Sequence, residues 1–452
     1  MFENKTIHIV GGGLAGSEAA WQCAKRGLKV VLHEMRPQKT TAAHKTSNLA
    51  ELVCSNSMKS VLPHTAAGEL KFEMNSYGSL IIEAAYANRV PAGNALAIER
   101  EGFSQYIQEK LKTLPNFQRV SEEVLEIKSE AELESLDEVY IIATGPLTSP
   151  GLAEKLDELT GGKERLFFYD AIAPTIDGDS IDYTQCYFKD RYGDQGSGDY
   201  LNIPLTKQQY ETFIEEVKVS EKVPLHSFES VSYFESCLPI EVMIDRGDET
   251  LRFGPLKPVG LERPDGSRPW AVIQLRAENV EKTMYSMVGF QTKMKWPEQK
   301  RVFSQLPGLG EAEFIRLGSI HKNTYVQGPE VLNSDLSLKT NSRVFLAGQL
   351  TGVEGYTESS AVGLLAGLFA VDKILEKSPK LPPKGCMMGA LLNYVTNGNL
   401  GKFSPMNANL GLLPPIKREK GMSKSDKKAA QVKRANVVFN EFRGGETIGA
   451  SI

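Results

Sequence analysis

The stretch that decides the fold is "KTIHIVGGGLAGSEAAWQCAKRGLKVVLHE", residues 5–34. It opens with an apolar strand over Thr6–Val10, passes through "GGGLAG" into a helix over Ser17–Arg26, and returns as a second strand, "LKVVLHE". A strand, a glycine-rich turn, a helix and a second strand make up a βαβ unit, from which open parallel sheets with helices on both faces are built. The sequence therefore predicts an α/β fold.

The turn of this unit fits the fingerprint G-x-G-x-x-G of dinucleotide-binding folds. Its first glycine permits the tight turn, its second lets the backbone approach a pyrophosphate, and its third allows close packing of helix on strand. Glu34 ends the second strand about 20 residues later, where an acid can bind ribose hydroxyls. The predicted nucleotide-binding residues are therefore Glu34 together with Gly11, Gly12, Gly13, Leu14, Ala15 and Gly16.

Two further segments favour FAD over NAD(P). "EVYIIATGPLT" (residues 138–148) is an apolar strand ending in Ala-Thr-Gly, and "RVFLAGQLTGVEGYTESSAVGLLAGLFAVDKIL" (residues 343–375) is a strand, a glycine-rich turn and a long helix. A helix N-terminus aimed at a flavin ring would stabilise negative charge on it. A plain strand–helix turn with glycines for packing is the alternative, which two signatures in one chain disfavour. The further candidate FAD-binding residues are Arg36, Thr144, Gly145, Gly348, Gly352 and Glu354.

The middle of the chain has a different pattern. Short strand-like runs alternate there with helix-like runs and with Pro/Gly punctuation. This predicts an α+β insertion domain that interrupts a Rossmann-like FAD-binding domain of the type found in flavoproteins with two dinucleotide-binding domains. The expected division is a first FAD-domain part over 1–195, the insertion over 196–325, and a second FAD-domain part over 326–452.

The bulk composition narrows the protein class. The 452 residues are 41% hydrophobic and 24% charged, as in ordinary globular proteins, and no apolar run reaches the roughly 18 residues that span a bilayer. The five cysteines are odd in number, dispersed and without a C-x-x-C pair, which argues against a disulfide framework and a metal site. We therefore expect a cytoplasmic protein without a bound metal, a membrane association or an evident stable protein partner.

Two cysteines stand in unusual surroundings. In "LAELVCSNSMKS" (residues 49–60), Cys54 is followed by small polar residues, whereas a buried structural thiol normally has apolar neighbours. In "YFESCLPIEVMIDRG", Cys237 lies between Glu235 and Glu241. From that second stretch alone, a small buried hydrophobic residue is the favoured interpretation of Cys237.

Taken together, the motifs resemble one family, the folate- and FAD-dependent tRNA uracil-5-methyltransferases (TrmFO). The resemblance runs in order from residue 7 to about residue 415, and "ELVCSNS" and "CLPIEVM" are far more specific than the nucleotide fingerprint. The other matching motifs are "GGGLAGSEAAWQ", "HEMRP", "VPAGNALAIER", "ATGPLTS", "FGPLKPVGLE", "VGFQTKMKW", "LAGQLTGVEGYTESSAVGLLAG" and "FSPMNANLGLLP".

The resemblance implies an activity and its reagents. The family methylates C5 of a uridine in RNA, with methylenetetrahydrofolate as carbon donor and FAD, reduced by NADH or NADPH, as hydride source. It implies that Cys54 and Cys237 are the catalytic thiols. Cys237 would add to uracil C6, because a thiolate there makes C5 nucleophilic. Cys54 would act either as the base that removes the C5 proton or as a transient carrier of the methylene group.

Weaker candidates concern the substrates. Arg276 and Lys293 could bind a folate glutamate or RNA phosphate. They are interleaved with the aromatic residues Tyr285, Phe290 and Trp296, a pattern found in binders of RNA loops and equally in domain cores with a rim of lysines. His321, in "HKNTY", is either a cleft residue or a hinge hydrogen-bonder. The basic segment 417–434, with eight Lys/Arg against two Asp/Glu, is either an RNA contact or a solvated helix face or frayed tail.

Three alternatives remain. The first has the same chemistry with a large-subunit ribosomal RNA uridine as target, rather than the T-loop uridine of tRNA. The second is a thiol–disulfide flavoenzyme, which would want two thiols close in sequence. The third is an RNA-binding chaperone whose FAD is structural, against which the two family cysteines argue.

Overall fold

The structure is a computed structural model. It describes residues 5–41, 43–160, 166–171, 173–191, 198–223, 238–318, 320–398, 403–417 and 421–444, with the backbone alone for 166–171, 320–324 and 424. Cys237 lies outside the described residues.

The described residues form seventeen strands. In chain order these are β1 (Thr6–Val10), β2 (Lys29–His33), β3 (Ser57–Ser60), β4 (Arg89–Val90), β5 (Ala95–Ile98), β6 (Phe117–Val120), β7 (Glu138–Ile142), β8 (Leu166–Ala171), β9 (Thr175–Asp177), β10 (Tyr187–Phe188), β11 (Tyr200–Leu205), β12 (Ala271–Ala277), β13 (Met284–Met287), β14 (Phe314–Arg316), β15 (Ile320–Tyr325), β16 (Ser337–Leu338) and β17 (Asn341–Leu346).

The same residues form fourteen α-helices. They are α1 (Leu14–Ala24), α2 (Ala66–Asn75), α3 (Leu80–Ala87), α4 (Arg100–Lys112), α5 (Glu130–Ser135), α6 (Pro150–Leu159), α7 (Lys207–Val219), α8 (Ile240–Asp245), α9 (Thr250–Phe253), α10 (Trp296–Phe303), α11 (Gly328–Val331), α12 (Tyr356–Ile374), α13 (Met387–Asn397) and α14 (Lys424–Phe442).

The first sheet has the strand order β16-β17-β7-β1-β2-β6. The strands β6, β2, β1, β7 and β17 run parallel, and β16 joins the edge antiparallel. The central strands are buried on both faces, which explains their nearly continuous apolar sequences. This is a doubly wound α/β sheet, and it confirms the predicted fold class.

Helices α1 and α12 pack on one another through small residues. A Cβ at Gly363 would lie 2.3 Å from Ala15 O, and one at Gly367 would lie 3.0 Å from Ala19 O. The thiol of Cys23 donates to Gly367 O at 3.4 Å, so this cysteine belongs to the helix contact. Because the backbones approach so closely, the first residue of α12 comes to lie beside the glycine-rich turn before α1.

The second sheet belongs to the insertion and has the order β10-β11-β12-β13-β9-β14. It has its own apolar core with α7, α8 and α10. Its strands β9 and β10 precede residue 196, so the chain enters this sheet near Thr175, earlier than the expected boundary at 195. These strands have three and two residues, too short to show a periodic sequence pattern.

Two antiparallel strands connect the domains. The chain leaves the FAD-binding domain through β8 and returns to that domain through β15. The two strands pair with each other along their whole length. A further small sheet, β3-β5-β4, lies close to both domains. The loop that carries Cys54 leads directly into β3, and is thereby placed where the two domains meet.

Residues 424–434 of the basic C-terminal segment form the first part of helix α14. Ser423 caps its N-terminus in a capping box with Asp426. Ala435 and Phe439 are fully buried, and Phe439 meets Phe72 of α2 edge to face. This segment is therefore a docked amphipathic helix rather than a frayed tail.

Candidate active site

A cleft of about 1060 Å³ lies at the carboxyl ends of β1, β2 and β7, where α/β sheets bind ligands. We call it the nucleotide cleft. Ten of the predicted nucleotide-binding residues line it: Gly11, Gly12, Gly13, Leu14, Ala15, Glu34, Arg36, Thr144, Gly145 and Gly348.

The geometry of the three fingerprint glycines is compatible with the functions that the fingerprint assigns to them. Gly11 has φ +101°, and a Cβ on it would lie 2.6 Å from Ala143 O. A Cβ on Gly13 would meet no atom within 4 Å and would project into open space in the cleft wall. Gly16 does not line the cleft; its Cβ would lie 1.9 Å from Gly11 O, so this glycine serves the packing of α1 on the turn.

Glu34 and Arg36 form a buried ion pair in the cleft wall. Glu34 Oε2 accepts from Gly12 N at 2.9 Å, and Arg36 Nε donates to Glu34 Oε1 at 2.9 Å. Burial raises the pKa of Glu34, but the hydrogen bonds and charge of Arg36 outweigh it and hold the pKa below its ordinary value. Arg36 also donates to Glu51 Oε2 at 3.1 Å. The carboxylate is therefore charged and fixed at the position where a ribose would bind.

Of the three predicted residues in the second glycine-rich turn, one lines the nucleotide cleft and two do not. Gly348 has φ +71° and faces Ala15, at the start of α1. Gly352 has φ +91° and packs against the ring of Phe403, while Glu354 is buried and its N–H donates to Met406 O at 2.9 Å. These two residues lie outside the cleft lining, so they shape the turn from behind.

These features fit a dinucleotide such as FAD. The turn leaves open space at Gly13 where a pyrophosphate would approach, α1 directs its N-terminal amides there, and Glu34 stands at the ribose position. The N-terminus of α12 lies on the opposite wall, where Tyr356 and Ser359 line the cleft.

Cys54 lies at the edge of this cleft and contacts Tyr356. The Cys54 N–H donates to the Tyr356 hydroxyl at 2.8 Å, the Ser55 N–H donates to it at 3.1 Å, and Cys54 Sγ lies 3.1 Å from it. Burial, and next the charge of Cys54, raise the pKa of Tyr356 well above its ordinary value. The phenol is therefore neutral and can act as a donor.

Two arginines hold the loop around Cys54 from the other side. Arg316 of β14 donates to Val53 O at 2.8 Å and to Cys54 O at 2.9 Å. Arg100, at the start of α4, donates to Leu52 O and, at 2.6 Å, to Glu278 of the insertion. Their positive charges interact with Cys54, and cationic neighbours favour the thiolate form of a cysteine.

A second cleft, of about 920 Å³, opens between the domains next to this loop. Three cations, Lys45, Arg100 and Arg316, line it together with three carboxylates, Glu51, Glu101 and Glu278. Burial, and next the positive charge of Arg316, lower the pKa of Lys45. The Arg316 Nε is buried without a hydrogen-bond partner among the described residues. This interdomain cleft can therefore accept an anionic group beside Cys54.

The weaker candidate residues lie in different places. Arg276 is nearly buried, and its Nε donates to Asn56 Oδ1 at 2.8 Å, which ties β12 to the Cys54 loop. Lys293 is half-buried beside Glu241, four residues beyond Cys237, and its N–H contacts that carboxylate at 3.2 Å. His321 is in β15, with its backbone paired to Asp170, and its side chain lies outside the described part of the chain.

Tyr356, Arg100 and Arg316 were not predicted. Tyr356 occurs within a motif that the sequence analysis quoted, and its position directly after Gly355 at a helix start is a usable signal. Arg100 ends the motif "VPAGNALAIER", whereas Arg316 belongs to none of the motifs and its partner Val53 is 263 residues away in the chain.

Two absences concern the whole described part of the chain. No described helix has both the length and the apolar character needed to cross a membrane. No group of three or more His, Cys, Asp or Glu side chains is placed to hold a metal ion among the described residues.

Solved structures share the fold. GidA of Aquifex aeolicus in its form II crystal superposes with a TM-score of 0.68 over 98% of this chain and 74% of that chain, at 16% identity. The form I crystal of the same protein gives a TM-score of 0.68 over 97% of this chain and 76% of that chain, at 15% identity. At this level of identity the likeness shows the fold.

Sequence relatives are much closer. The chain is 50% identical over 430 residues to the methylenetetrahydrofolate–tRNA-(uracil-5-)-methyltransferase TrmFO of Geobacter sulfurreducens, covering 95% of this chain and 96% of the relative. It is 52% identical to that of Paramagnetospirillum magneticum, covering 91% of both chains. It is 51% identical to that of Aquifex aeolicus, covering 95% of this chain and 94% of the relative.

A family model matches most of the chain. Residues 6–378 match the family described as Glucose inhibited division protein A. The relatives at about 50% sequence identity narrow the family assignment to one branch, and they confirm the resemblance that the motifs indicated. The chain belongs to the TrmFO family of methylenetetrahydrofolate–tRNA-(uracil-5-)-methyltransferases.

Proposed function

We propose that the chain methylates C5 of a uridine in the T-loop of tRNA, with methylenetetrahydrofolate as carbon donor and NAD(P)H-reduced FAD as hydride source. The observation that carries the proposal is 50% identity over 95% of the chain to a relative named for this activity. All three relatives compared above are named for a tRNA substrate, which favours tRNA over the ribosomal alternative.

The proposed FAD site is the nucleotide cleft. Bound FAD would supply the hydride that converts the transferred methylene group into a methyl group. The chain would hold the dinucleotide through the glycine turn and the amides of α1, with Glu34 on the ribose. Arg36 would keep Glu34 ionised and fixed, so that this carboxylate accepts hydrogen bonds from the hydroxyls.

Cys54 is the proposed acid–base or carrier thiol. Both acceptor positions of the Tyr356 hydroxyl are taken by the N–H groups of Cys54 and Ser55, so its proton is available to Cys54 Sγ. A hydrogen bond donated to sulfur stabilises the thiolate, the form that can take a proton from uracil C5 or bind carbon. Arg316 would fix the backbone of this loop in place.

Cys237 is the proposed nucleophile. Its thiolate would add to uracil C6, which moves the electron pair of the C5–C6 double bond to C5 and makes that atom nucleophilic. C5 would then bond the methylene carbon, the base would remove the C5 proton as the bond between that carbon and its carrier breaks, and the thiolate would leave C6 as hydride addition completes the methyl group and the C5–C6 double bond returns. Leu238 and Ile240, which follow Cys237, are both buried, and Ile240 belongs to the apolar core of the insertion.

We also propose a cytoplasmic location. The described cysteines form no disulfide with one another, and a reducing compartment keeps thiols available for chemistry.

The interdomain cleft offers its cations to the carboxylates of a folate or the phosphates of NAD(P)H.

Covalent trapping tests the proposal. A tRNA transcript containing 5-fluorouracil, incubated with the holoenzyme, methylenetetrahydrofolate and NADPH, should form a covalent protein–RNA complex that withstands denaturation. Cys237→Ser should keep bound FAD and form no complex. A complex formed by Cys237→Ser would show that another group attacks C6. Cys186→Ser, which changes a half-buried thiol of the insertion, is the matched control and should trap RNA as the wild type does.

A further inference from the structure

A basic groove lies in the insertion, away from both clefts. It has a volume of about 830 Å³, and no carboxylate lines it. Four cationic side chains and one aromatic ring line it, namely Lys207, Arg252, Arg263, Arg268 and Trp270. The chain as a whole has a net charge of −4, so this is a local concentration of positive charge.

Trp270 organises the cations. The guanidinium carbon of Arg252 lies 3.8 Å from the ring centroid and Lys207 Nζ lies 5.5 Å from it. Arg252 Nε also donates to Trp270 O at 3.0 Å. Stacking on an indole fixes the plane of a guanidinium, and because Nε contacts Trp270 O and Nη1 contacts Glu249, Nη2 is the nitrogen of Arg252 that can bind an oxyanion. The Trp270 Nε1 is buried without a partner among the described residues.

Acids outside the groove neutralise only part of this charge. Glu249 pairs with Arg252 at 3.1 Å and Glu211 with Lys207 at 3.5 Å. Arg263 donates to Ser267 Oγ at 3.3 Å, and no ion pair of Arg263 or Arg268 occurs in the described part of the chain. Arg263 is partly offset by the charge of Asp265, which interacts with it without a close ion pair, and both arginines line the groove.

An exposed aromatic ring extends the surface. Phe253 is 74% exposed, and the guanidinium of Arg252 lies 5.7 Å from its ring centroid. Exposing the ring of a phenylalanine to water costs free energy, but an exposed ring beside arginines can stack on a nucleic-acid base. Cations with interleaved aromatic rings distinguish an RNA surface from a site for an inorganic anion.

The groove is remote from the chemistry. Trp270 precedes β12, whereas Arg276, at the far end of that strand, reaches the Cys54 loop. β12 has seven residues, and at about 3.3 Å per residue its ends are separated by about 20 Å. One small molecule cannot fill both places, but a folded RNA can, since double-stranded RNA-binding domains contact about 16 base pairs.

We propose that this basic groove binds the phosphodiester backbone of the substrate RNA outside the loop that carries the target uridine. The inference rests on the proposed function, because it names a second contact for the same substrate. Lys207, Arg252, Arg263 and Arg268 bind phosphate oxygens, and Phe253 stacks on an unpaired base. The groove thereby sets affinity for the whole RNA and leaves the chemical step unchanged.

The test compares a whole tRNA transcript with its isolated T-arm stem-loop. Arg263→Ala/Arg268→Ala holoenzyme should bind tRNA about 10-fold more weakly, and the slope of log affinity against log salt should become shallower by about 1 to 2 units. KM for tRNA should rise by the same factor with kcat unchanged. Affinity and KM for the stem-loop should not change.

The control is Lys29→Ala/Lys112→Ala, which removes two exposed lysines of the FAD domain and should behave as the wild type. Unchanged tRNA affinity and salt slope in the arginine variant would overturn the inference, as would equal losses for tRNA and stem-loop. Direct binding separates the two claims: a wild type that binds tRNA through the groove but methylates no RNA would contradict the proposed function alone.

Discussion

The Tyr356 hydroxyl lies 3.1 Å from Cys54 Sγ and 2.8 Å from Cys54 N, although the two residues are 302 positions apart. Because the backbone amides of Cys54 and Ser55 occupy its oxygen, the hydroxyl can offer only its proton to the thiol. The first residue of α12 is thus placed to donate a hydrogen bond to the thiol of Cys54 at the edge of the nucleotide cleft.

Removing this hydroxyl should make Cys54 less reactive. In Tyr356→Phe the thiolate loses a donated hydrogen bond, so alkylation of Cys54 by iodoacetamide should require a higher pH and be about 10-fold slower at pH 7. Peptide mapping by mass spectrometry measures this at Cys54 separately from the other thiols. Tyr106→Phe, which loses a hydroxyl contact with Glu83 far from the cleft, is the control. Equal alkylation profiles for Tyr356→Phe and wild type would show that the hydroxyl does not donate to sulfur.

Arg316 should matter for turnover rather than for FAD. Arg316→Gln loses at least one of two hydrogen bonds to the carbonyls of Val53 and Cys54, and each charged bond contributes about 1.5–3 kcal/mol. We expect methylation to fall about 10- to 100-fold while flavin absorbance per protein stays at the wild-type value. Arg301→Gln, whose guanidinium pairs with Glu298 at the surface, should retain full activity. Loss of flavin in Arg316→Gln would instead indicate a role in the fold.

Gly13 should be needed for the cofactor and not for folding. Its φ is −74° and a Cβ there meets nothing within 4 Å, so Gly13→Ala should fold normally and keep the thermal midpoint of the flavin-free wild type. It should bind FAD at least 10-fold more weakly, because the methyl group projects where the pyrophosphate approaches. Gly310→Ala, also in open space but remote, should bind FAD normally. Wild-type FAD affinity in Gly13→Ala would place the pyrophosphate elsewhere.

The stability of the C-terminal region should depend on pH through Glu69 in α2. Burial raises the pKa of Glu69 from 4.5 to about 7, although a hydrogen bond with Asn436 of α14 lowers this pKa in part. The folded state therefore binds this proton more tightly than the unfolded state, and that stabilisation, present below about pH 4.5, is lost as the pH rises to about 7.

Between pH 5 and pH 8 the thermal midpoint of the wild type should accordingly fall relative to that of Glu69→Gln. Glu73, whose pKa burial raises to about 8, contributes in the same direction in both proteins. Glu109→Gln changes an exposed carboxylate and should track the wild type. Parallel curves for wild type and Glu69→Gln would contradict the assigned protonation.

The sequence predicted the parts of the molecule that are local in the chain. Strand β1 spans Thr6–Val10 as expected, and the turn after it forms one wall of the nucleotide cleft, because a βαβ unit is completed within about 30 residues. The spacing of the fingerprint likewise predicted that Gly16 permits close packing of α1.

Contacts between distant segments were not predictable in this way. Arg316 reaches the Cys54 loop only because β14 joins a sheet whose other strands come from five separate segments. Gly352 and Glu354 belong to a motif of the cleft but lie behind it, since the turn after β17 directs Gly348 rather than these residues toward α1. Pattern and spacing identify a motif, and the packing of α12 and β14 decides which of its residues meet the ligand.

The most direct measurement follows label from methylene-labelled methylenetetrahydrofolate into RNA, with NADPH and the FAD-loaded protein. An unmodified tRNA transcript and a large-subunit ribosomal RNA fragment are compared. We expect label in the T-loop uridine of the tRNA, on C5, and none in the ribosomal fragment. Label in the ribosomal fragment alone would contradict the proposed substrate, and folded, yellow protein that labels neither RNA would contradict the proposed reaction itself.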